Sequence, residues 1–162
     1  MATQLLLLGG NQGDVIKNLQ QAIEALSLHL GKAIQTSAYY ESEPWGFEAS
    51  QNFVNQVVEF ESSFTPDQLL GITQQIEIQL GRKQKTGTHY ESRPIDIDIL
   101  FIDNCIINTP HLIIPHPRLH QRRFTLLPLL DHWEALLHPK LEKTIPELLS
   151  ICEDEGTVKR LD

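Results

Sequence analysis

From Gln4 to Ile102 the chain runs through strand-like and helical apolar spacing in the order β-α-β-β-α-β, and that order limits the folds open to it. Gln4 to Leu8 is a short apolar run that reads as a buried strand. Gly9-Gly10-Asn11-Gln12-Gly13-Asp14 breaks it with turn residues, and the tight connection calls for glycine. Ile16, Leu19, Ile23, Leu26 and Leu30 recur at helical spacing, with Asp14 as the N-cap and Gly31 past the end. Ile34 to Glu41 and Phe53 to Glu61 read as the second and third strands. The loop between them, Ser42 to Asn52, contains Pro44-Trp45-Gly46. Thr65-Pro66-Asp67-Gln68 is a capping box with proline at the first helical position, and Leu69, Ile72, Ile76 and Leu80 form that helix's stripe. A 13-residue loop, 82–94, leads to a fourth strand from about Ile95 to Ile102, and loops of that length commonly serve as lids or binding loops.

This is the split βαβ, ferredoxin-like pattern of the α+β class. It puts two helices on one face of an antiparallel sheet and leaves an open loop face for a ligand. Further on, Cys105 to Ile107 extends a hairpin and His111 to Pro117 is extended. Extra C-terminal helices follow, one from Thr125 to Leu137 with Pro128 near its start, and a short one capped by Thr144-Ile145-Pro146-Glu147. At 162 residues the chain is expected to form a single domain, 1–162.

The fourth strand carries the chemistry. In Arg93-Pro94-Ile95-Asp96-Ile97-Asp98-Ile99-Leu100, alternation puts Asp96 and Asp98 on one face, with Cα atoms roughly 7 Å apart. Two carboxylates so placed can hold one hard divalent cation, or two. The plainer alternative is a half-buried strand with two solvated aspartates. Against it, Leu100 and Ile102 continue the aspartate face while Ile99 and Phe101 continue the other, so the carboxylates stand where the strand enters the core. Aspartate is disfavoured in strands, and crowding two like charges costs free energy without a counter-charge.

The net charge of −8 argues against general nucleic-acid binding. Positive charge is nevertheless concentrated. Arg82, Lys83, Lys85 and Arg93 face only Glu91 within 82–93, and Arg118, Arg122 and Arg123 meet no acid within 116–123. These two segments hold 7 of the 13 Lys and Arg residues, a distribution suited to a small, highly charged anion as well as to two solvated loops. Cys105 and Cys152 have no metal-like spacing and read as buried or incidental thiols. Leu5 to Leu8 is too short for a signal peptide or a membrane span, so a cytoplasmic protein is expected.

Trp45 and Phe53 flank Asn55, and Phe124 lies beside the second basic cluster. Flat rings and one amide suit a planar heterocycle, although Phe53 and Phe124 also fit as core residues. His116 and His120 are four apart, but Pro115 and Pro117 bracket His116 and disfavour a helical zinc pair. His116 suits a phosphate donor better. Two aspartates, a basic lid, an Arg/His cluster and an aromatic pocket together point to phosphoryl-group chemistry. Direct transfer between bound substrates is favoured, because no Ser or Cys nucleophile with a paired base stands out.

In these motifs the chain resembles the 6-hydroxymethyl-7,8-dihydropterin pyrophosphokinases of folate biosynthesis. The resemblance runs to about Leu130. It rests on Gly9-Gly10-Asn11-Gln12-Gly13-Asp14, Pro44-Trp45-Gly46 with Phe53-Val54-Asn55, Ile76-Glu77 with Gly81-Arg82, Arg93 with Asp96-Ile97-Asp98, and Pro115-His116-Pro117-Arg118 with Arg122 and Phe124. It implies transfer of the β,γ-diphosphate of ATP to the pterin hydroxymethyl group, with release of AMP. It also implies two Mg²⁺ ions on Asp96 and Asp98, and a catalytic set of Arg82, Arg93, Asp96 and Asp98. Phe53 and Phe124 would sandwich the pterin, with Asn55 and the stretch around Ser42, Pro44 and Trp45 reading its edge. Glu77, Arg82, Arg93, His116 and Arg122 would line the ATP site. The lid departs from the family pattern, with Gln84 where a second arginine is common and Tyr90-Glu91-Ser92 before Arg93. The expected partners are small-molecule substrates, with no membrane and no nucleic acid, and a monomer is expected. A non-catalytic ferredoxin-like module accounts for the fold and the aromatic groups but not for the Asp-x-Asp pair. A metal-dependent phosphodiesterase on nucleic acid fits poorly with the acidic balance.

Overall fold

The computed structural model describes residues 1–43, 51–81 and 94–161. In chain order the elements are β1 (Ala2–Gly10), α1 (Val15–Leu30), β2 (Gln35–Thr36), β3 (Tyr39–Ser42), β4 (Phe53–Ser62), α2 (Pro66–Gln79), β5 (Asp96–Ile102), β6 (Ile107–Asn108), β7 (Ile113–Ile114), a 3₁₀ turn at Leu119–Gln121, α3 (Arg123–Leu129), α4 (Ile145–Ile151) and β8 (Val158–Leu161). The main sheet has the order β5-β1-β4-β3-β8, with β2 also on β4, and every pairing is antiparallel. The first four positions are the ferredoxin-like βαββαβ core.

The local signals act as their chemistry requires. The Asp14 carboxylate accepts from the Lys17 N–H, and Gly31 ends α1 at φ 83°. Thr65 and Gln68 close the capping box of α2, and Thr144 and Glu147 close that of α4. The buried stripe of α1 is Val15, Leu19, Ala22, Leu26 and Leu30, so Ile16 stands on its margin rather than in the core.

The sheet divides the apolar residues into two layers. On one face, Leu6, Leu8, Val54, Val58, Ile97 and Ile99 pack with α1 and α2. On the other, Leu5, Leu7, Val57 and Phe101 pack with Leu119, Leu126, Leu129, Trp133, Ile145 and Leu148, so the C-terminal helices cover the second face.

Four expectations change. Strand β1 runs on through Gly9 and Gly10, so those glycines lie in a strand and not in a turn. The second strand breaks into β2 and β3. At the break the Ala38 N–H donates to Asp131 Oδ2 while Ser37 keeps β4 through Val57. The β1–β5 register shifts between Leu5 and Leu6, because Leu100 is an extra residue on β5. This bulge exchanges the faces beyond it: Phe101 joins the aspartate side and Ile102 the helix side, the reverse of simple alternation. The helix expected over Thr125 to Leu137 is the shorter Arg123–Leu129. Beyond it, Asp131 is recruited to β3, and the Trp133 indole donates to Glu59 on β4. Strand β8, on the sheet edge, has no counterpart in the apolar pattern.

Candidate active site

The site is a row across three strands. Gly9 on β1 stands opposite Asn55 on β4 and opposite Asp96 on β5. Directly paired residues send their side chains to the same face. Asn55, Gly9 and Asp96 therefore stand in one row, and Leu7 brings Asp98 beside Val57 in the next. This is the face opposite α1 and α2. With strands about 4.8 Å apart, Asn55 and Asp96 are separated by about 10 Å.

The carboxylate end is built from β5 and the segment after β7. Asp96 and Asp98 are half-buried, with the Asp98 side chain 28% exposed. Glu77 on α2 is buried, and its Oε2 accepts from the Ile97 N–H at 2.8 Å. A helix carboxylate thus grips the backbone between the two aspartates. The bulge residue Leu100 accepts the His116 N–H through its carbonyl, at 3.0 Å. That contact brings His116 Nε2 to 3.9 Å from Asp98 Oδ2. Burial is the main cause of a His116 pKa lowered to about 4, with Arg122 and Arg118 acting in the same direction and Asp96 opposing. The ring is neutral at pH 7. Its Nδ1 accepts from the Arg118 N–H at 3.2 Å, so the ring proton sits on Nε2, facing the carboxylates. Arg118 was part of the basic cluster in the sequence; its backbone role in fixing this tautomer had no sequence signal.

The amide and aromatic end lies on β3, β4 and α3. Ser42, buried at the end of β3, pairs with Phe53, and Tyr40 pairs with Asn55. Asn55 is buried. Its Nδ2 points at the Leu8 carbonyl at 3.5 Å, and its Oδ1 has no hydrogen-bond partner among the described residues. Phe124 packs against the second apolar layer, and the Arg122 guanidinium lies 5.4 Å from its ring centroid. Arg122, the N-cap residue of α3, is 9% exposed.

The structure thus gathers Ser42, Phe53, Asn55, Asp96, Asp98, His116, Arg122 and Phe124 on the sheet or the segments over it, with Glu77 behind β5. Pro44, Trp45, Arg82, Arg93 and the lid residues lie outside the described residues. Cys105 is exposed and Cys152 half-buried, so neither is a core thiol.

Hard oxygen donors two residues apart on one strand fit Mg²⁺, which binds through one or two carboxylates and completes its shell with phosphate and water. No group of three His, Cys, Asp or Glu side chains suited to a metal occurs among the described residues. Among them, too, no helix is long and apolar enough to cross a membrane.

A family model described as 7,8-dihydro-6-hydroxymethylpterin-pyrophosphokinase (HPPK) matches residues 5–134. A 2-amino-4-hydroxy-6-hydroxymethyldihydropteridine pyrophosphokinase of Porphyromonas gingivalis is 44% identical over 144 residues, covering 86% of this chain and 96% of that protein. The Aquifex aeolicus protein of the same name is 38% identical over 159 residues, covering 98% and 95%. Among solved structures, the wild-type HPPK-DHPS of Plasmodium falciparum matches with a TM-score of 0.75 at 19% identity, over 92% of this chain. The chain spans 44% of that longer one, and at this identity the match speaks to the fold.

Proposed function

The chain belongs to the 7,8-dihydro-6-hydroxymethylpterin-pyrophosphokinase family, and we propose that it transfers the pyrophosphoryl group of ATP to the hydroxymethyl group of 6-hydroxymethyl-7,8-dihydropterin, a step of folate biosynthesis. The observation that carries this reading is the row Asn55–Gly9–Asp96. A flat bicyclic ring held at the amide spans toward the aspartates, so its hydroxymethyl oxygen arrives where a triphosphate would be anchored.

In the reaction the hydroxymethyl oxygen forms a bond to Pβ of ATP. The bond from Pβ to the oxygen bridging it to Pα breaks, AMP leaves with that electron pair, and the hydroxyl proton is released. Asp96 and Asp98 would hold two Mg²⁺ ions. Bound there, the cations would offset the charge of the triphosphate and make Pβ more electrophilic. Glu77 keeps the two carboxylates in register by fixing the Ile97 N–H. His116, neutral with its proton on Nε2, donates to a phosphate oxygen without needing to be charged. Arg122 adds positive charge from the α3 side and stacks on Phe124, steadying the ring that would face the pterin across from Phe53. Asn55 Oδ1 accepts from an N–H on the pterin edge, and Ser42 supports the same end. Arg82 and Arg93 of the basic loop would offset charge that develops on the transferred group. Pro44 and Trp45 would close the pterin end. The chain is proposed to work as one pyrophosphokinase domain, and as a monomer.

The direct test is a product assay. Turnover should need ATP, the reduced pterin and Mg²⁺ together, release AMP, and stop when EDTA removes the cation. ADP as the only nucleotide product would reject the reading.

A further inference from the structure

We infer that Gly9 is a positioning and specificity residue of the pterin subsite: the missing side chain at this position lets the Asn55 amide occupy the place from which it reads the ring. The identity of the ligand rests on the functional reading above. The coupling of the two residues rests on geometry alone.

Gly9 lies within β1, where glycine is disfavoured because it has no side chain to pack and the most backbone entropy to lose. Its backbone gives no reason for glycine, since among the described residues the glycines at positive φ are Gly13, Gly31 and Gly81. The reason lies across the strand. A Cβ on Gly9 would overlap Asn55 Nδ2 outright and come within 3.1 Å of Asn55 Cγ; the next atom, the Val54 carbonyl oxygen, is at an ordinary 3.5 Å. The space a side chain would fill at position 9 is thus taken by one group, the amide of the directly paired residue on β4. That amide is buried, and among the described residues its Oδ1 has no hydrogen-bond donor, an arrangement that costs free energy unless a donor is supplied, as a ligand would do. Gly9 also stands opposite Asp96, so this one buried backbone position is paired with both the amide residue and the first aspartate.

A terminal amide can swing away from an added methyl group, so Gly9→Ala should leave the fold in place and spoil the reading geometry. The test is a double-mutant cycle. Dissociation constants for MgATP, and for the pterin in the presence of Mg²⁺ and a non-hydrolysable ATP analogue, are measured by calorimetry on the wild type, Gly9→Ala, Asn55→Ala and the double variant. Gly9→Ala is expected to weaken pterin binding tenfold or more, with MgATP binding within twofold of wild type. Once Asn55 is alanine, the same change should alter pterin binding less than twofold. Pterin affinity in Gly9→Ala within twofold of wild type, or an equal loss in both backgrounds, would overturn the inference. If Gly9→Ala alone does not fold, a folded double variant supports the clash, and a double variant that also fails to fold refutes it. A wild type that binds no pterin would reject the functional reading instead. The coupling is then read from Tm: Gly9→Ala should raise Tm in the Asn55→Ala background and raise it less, or lower it, in the wild type. Equal shifts in both would refute it.

Discussion

Asp96 and Asp98 place two carboxylates on a half-buried strand, with Glu77 holding the Ile97 N–H between them and His116 Nε2 lying 3.9 Å from Asp98. Replacing either aspartate by asparagine keeps the shape and removes a hard anionic ligand. Turnover should fall by about 100-fold or more, while the variant stays folded with a cooperative thermal transition. AMP release and scanning calorimetry check both halves, and near-normal turnover in either variant would break the assignment. Glu77→Ala should cost about 1–3 kcal/mol, because it strands a buried N–H, whereas Glu77→Gln retains an acceptor and should cost less. Urea unfolding separates the two. At this scale the aspartate pair was legible, because alternation within one strand needs no knowledge of the rest of the chain. The grip of Glu77 on Ile97, 20 residues away, was not legible, since no local pattern marks a contact between a helix and the edge of a strand. Gly9 misled for a related reason: a Gly-Gly pair reads as a turn unless the cross-strand partner is known.

The elements were readable where their ends carry their own chemistry. The caps of α1, α2 and α4 fell where Asp14, Thr65 and Thr144 put them. They were misread where a distant side chain intervened. Asp131 lies in a stretch with helical spacing, yet its side chain, 6% exposed, accepts from the Ala38 N–H and the Tyr40 hydroxyl and is reached by Arg160 of β8. It ties the segment after α3 to β3 and β8 at the break between β2 and β3. Burial, with the Asp131 carboxylate, pushes the Tyr40 phenol up to about 12. Asp131→Ala should therefore destabilise the fold by about 2–4 kcal/mol, and Tyr40→Phe by about 1 kcal/mol, as measured by urea unfolding. Equal and negligible costs would show that the network does not hold β3. The bulge at Leu100 is the other device that alternation could not reveal. It turns Phe101 toward the aspartate face, and its carbonyl seats His116.

Across the whole molecule, one face of the sheet carries the packing of α1 and α2. The other is shared between the C-terminal apolar layer and the site. The C-terminal layer has its own pH sensitivity. His138 is 3% exposed and touches Phe101 and His120 edge-on, and its pKa is lowered to about 4 by burial first, with His120 and Lys140 adding to it. The unfolded chain takes up this proton near pH 6.5 and the folded one only near 4, so the unfolded state binds more protons between these values. Stability should be full above about pH 6.5 and fall as pH drops toward 4. His138→Asn should make the Tm profile less steep in that window, with His116, whose pKa is also lowered to about 4, keeping part of the slope, and an unchanged slope would place the acid sensitivity elsewhere.

The central claim is that the aspartate pair anchors the cations that bind the triphosphate. It is tested most directly by a crystal grown with Mn²⁺, a non-hydrolysable ATP analogue and the pterin. The account predicts two anomalous peaks within coordination distance of Asp96 and Asp98, both touching the β,γ-phosphates. Cations bound away from both carboxylates would contradict it.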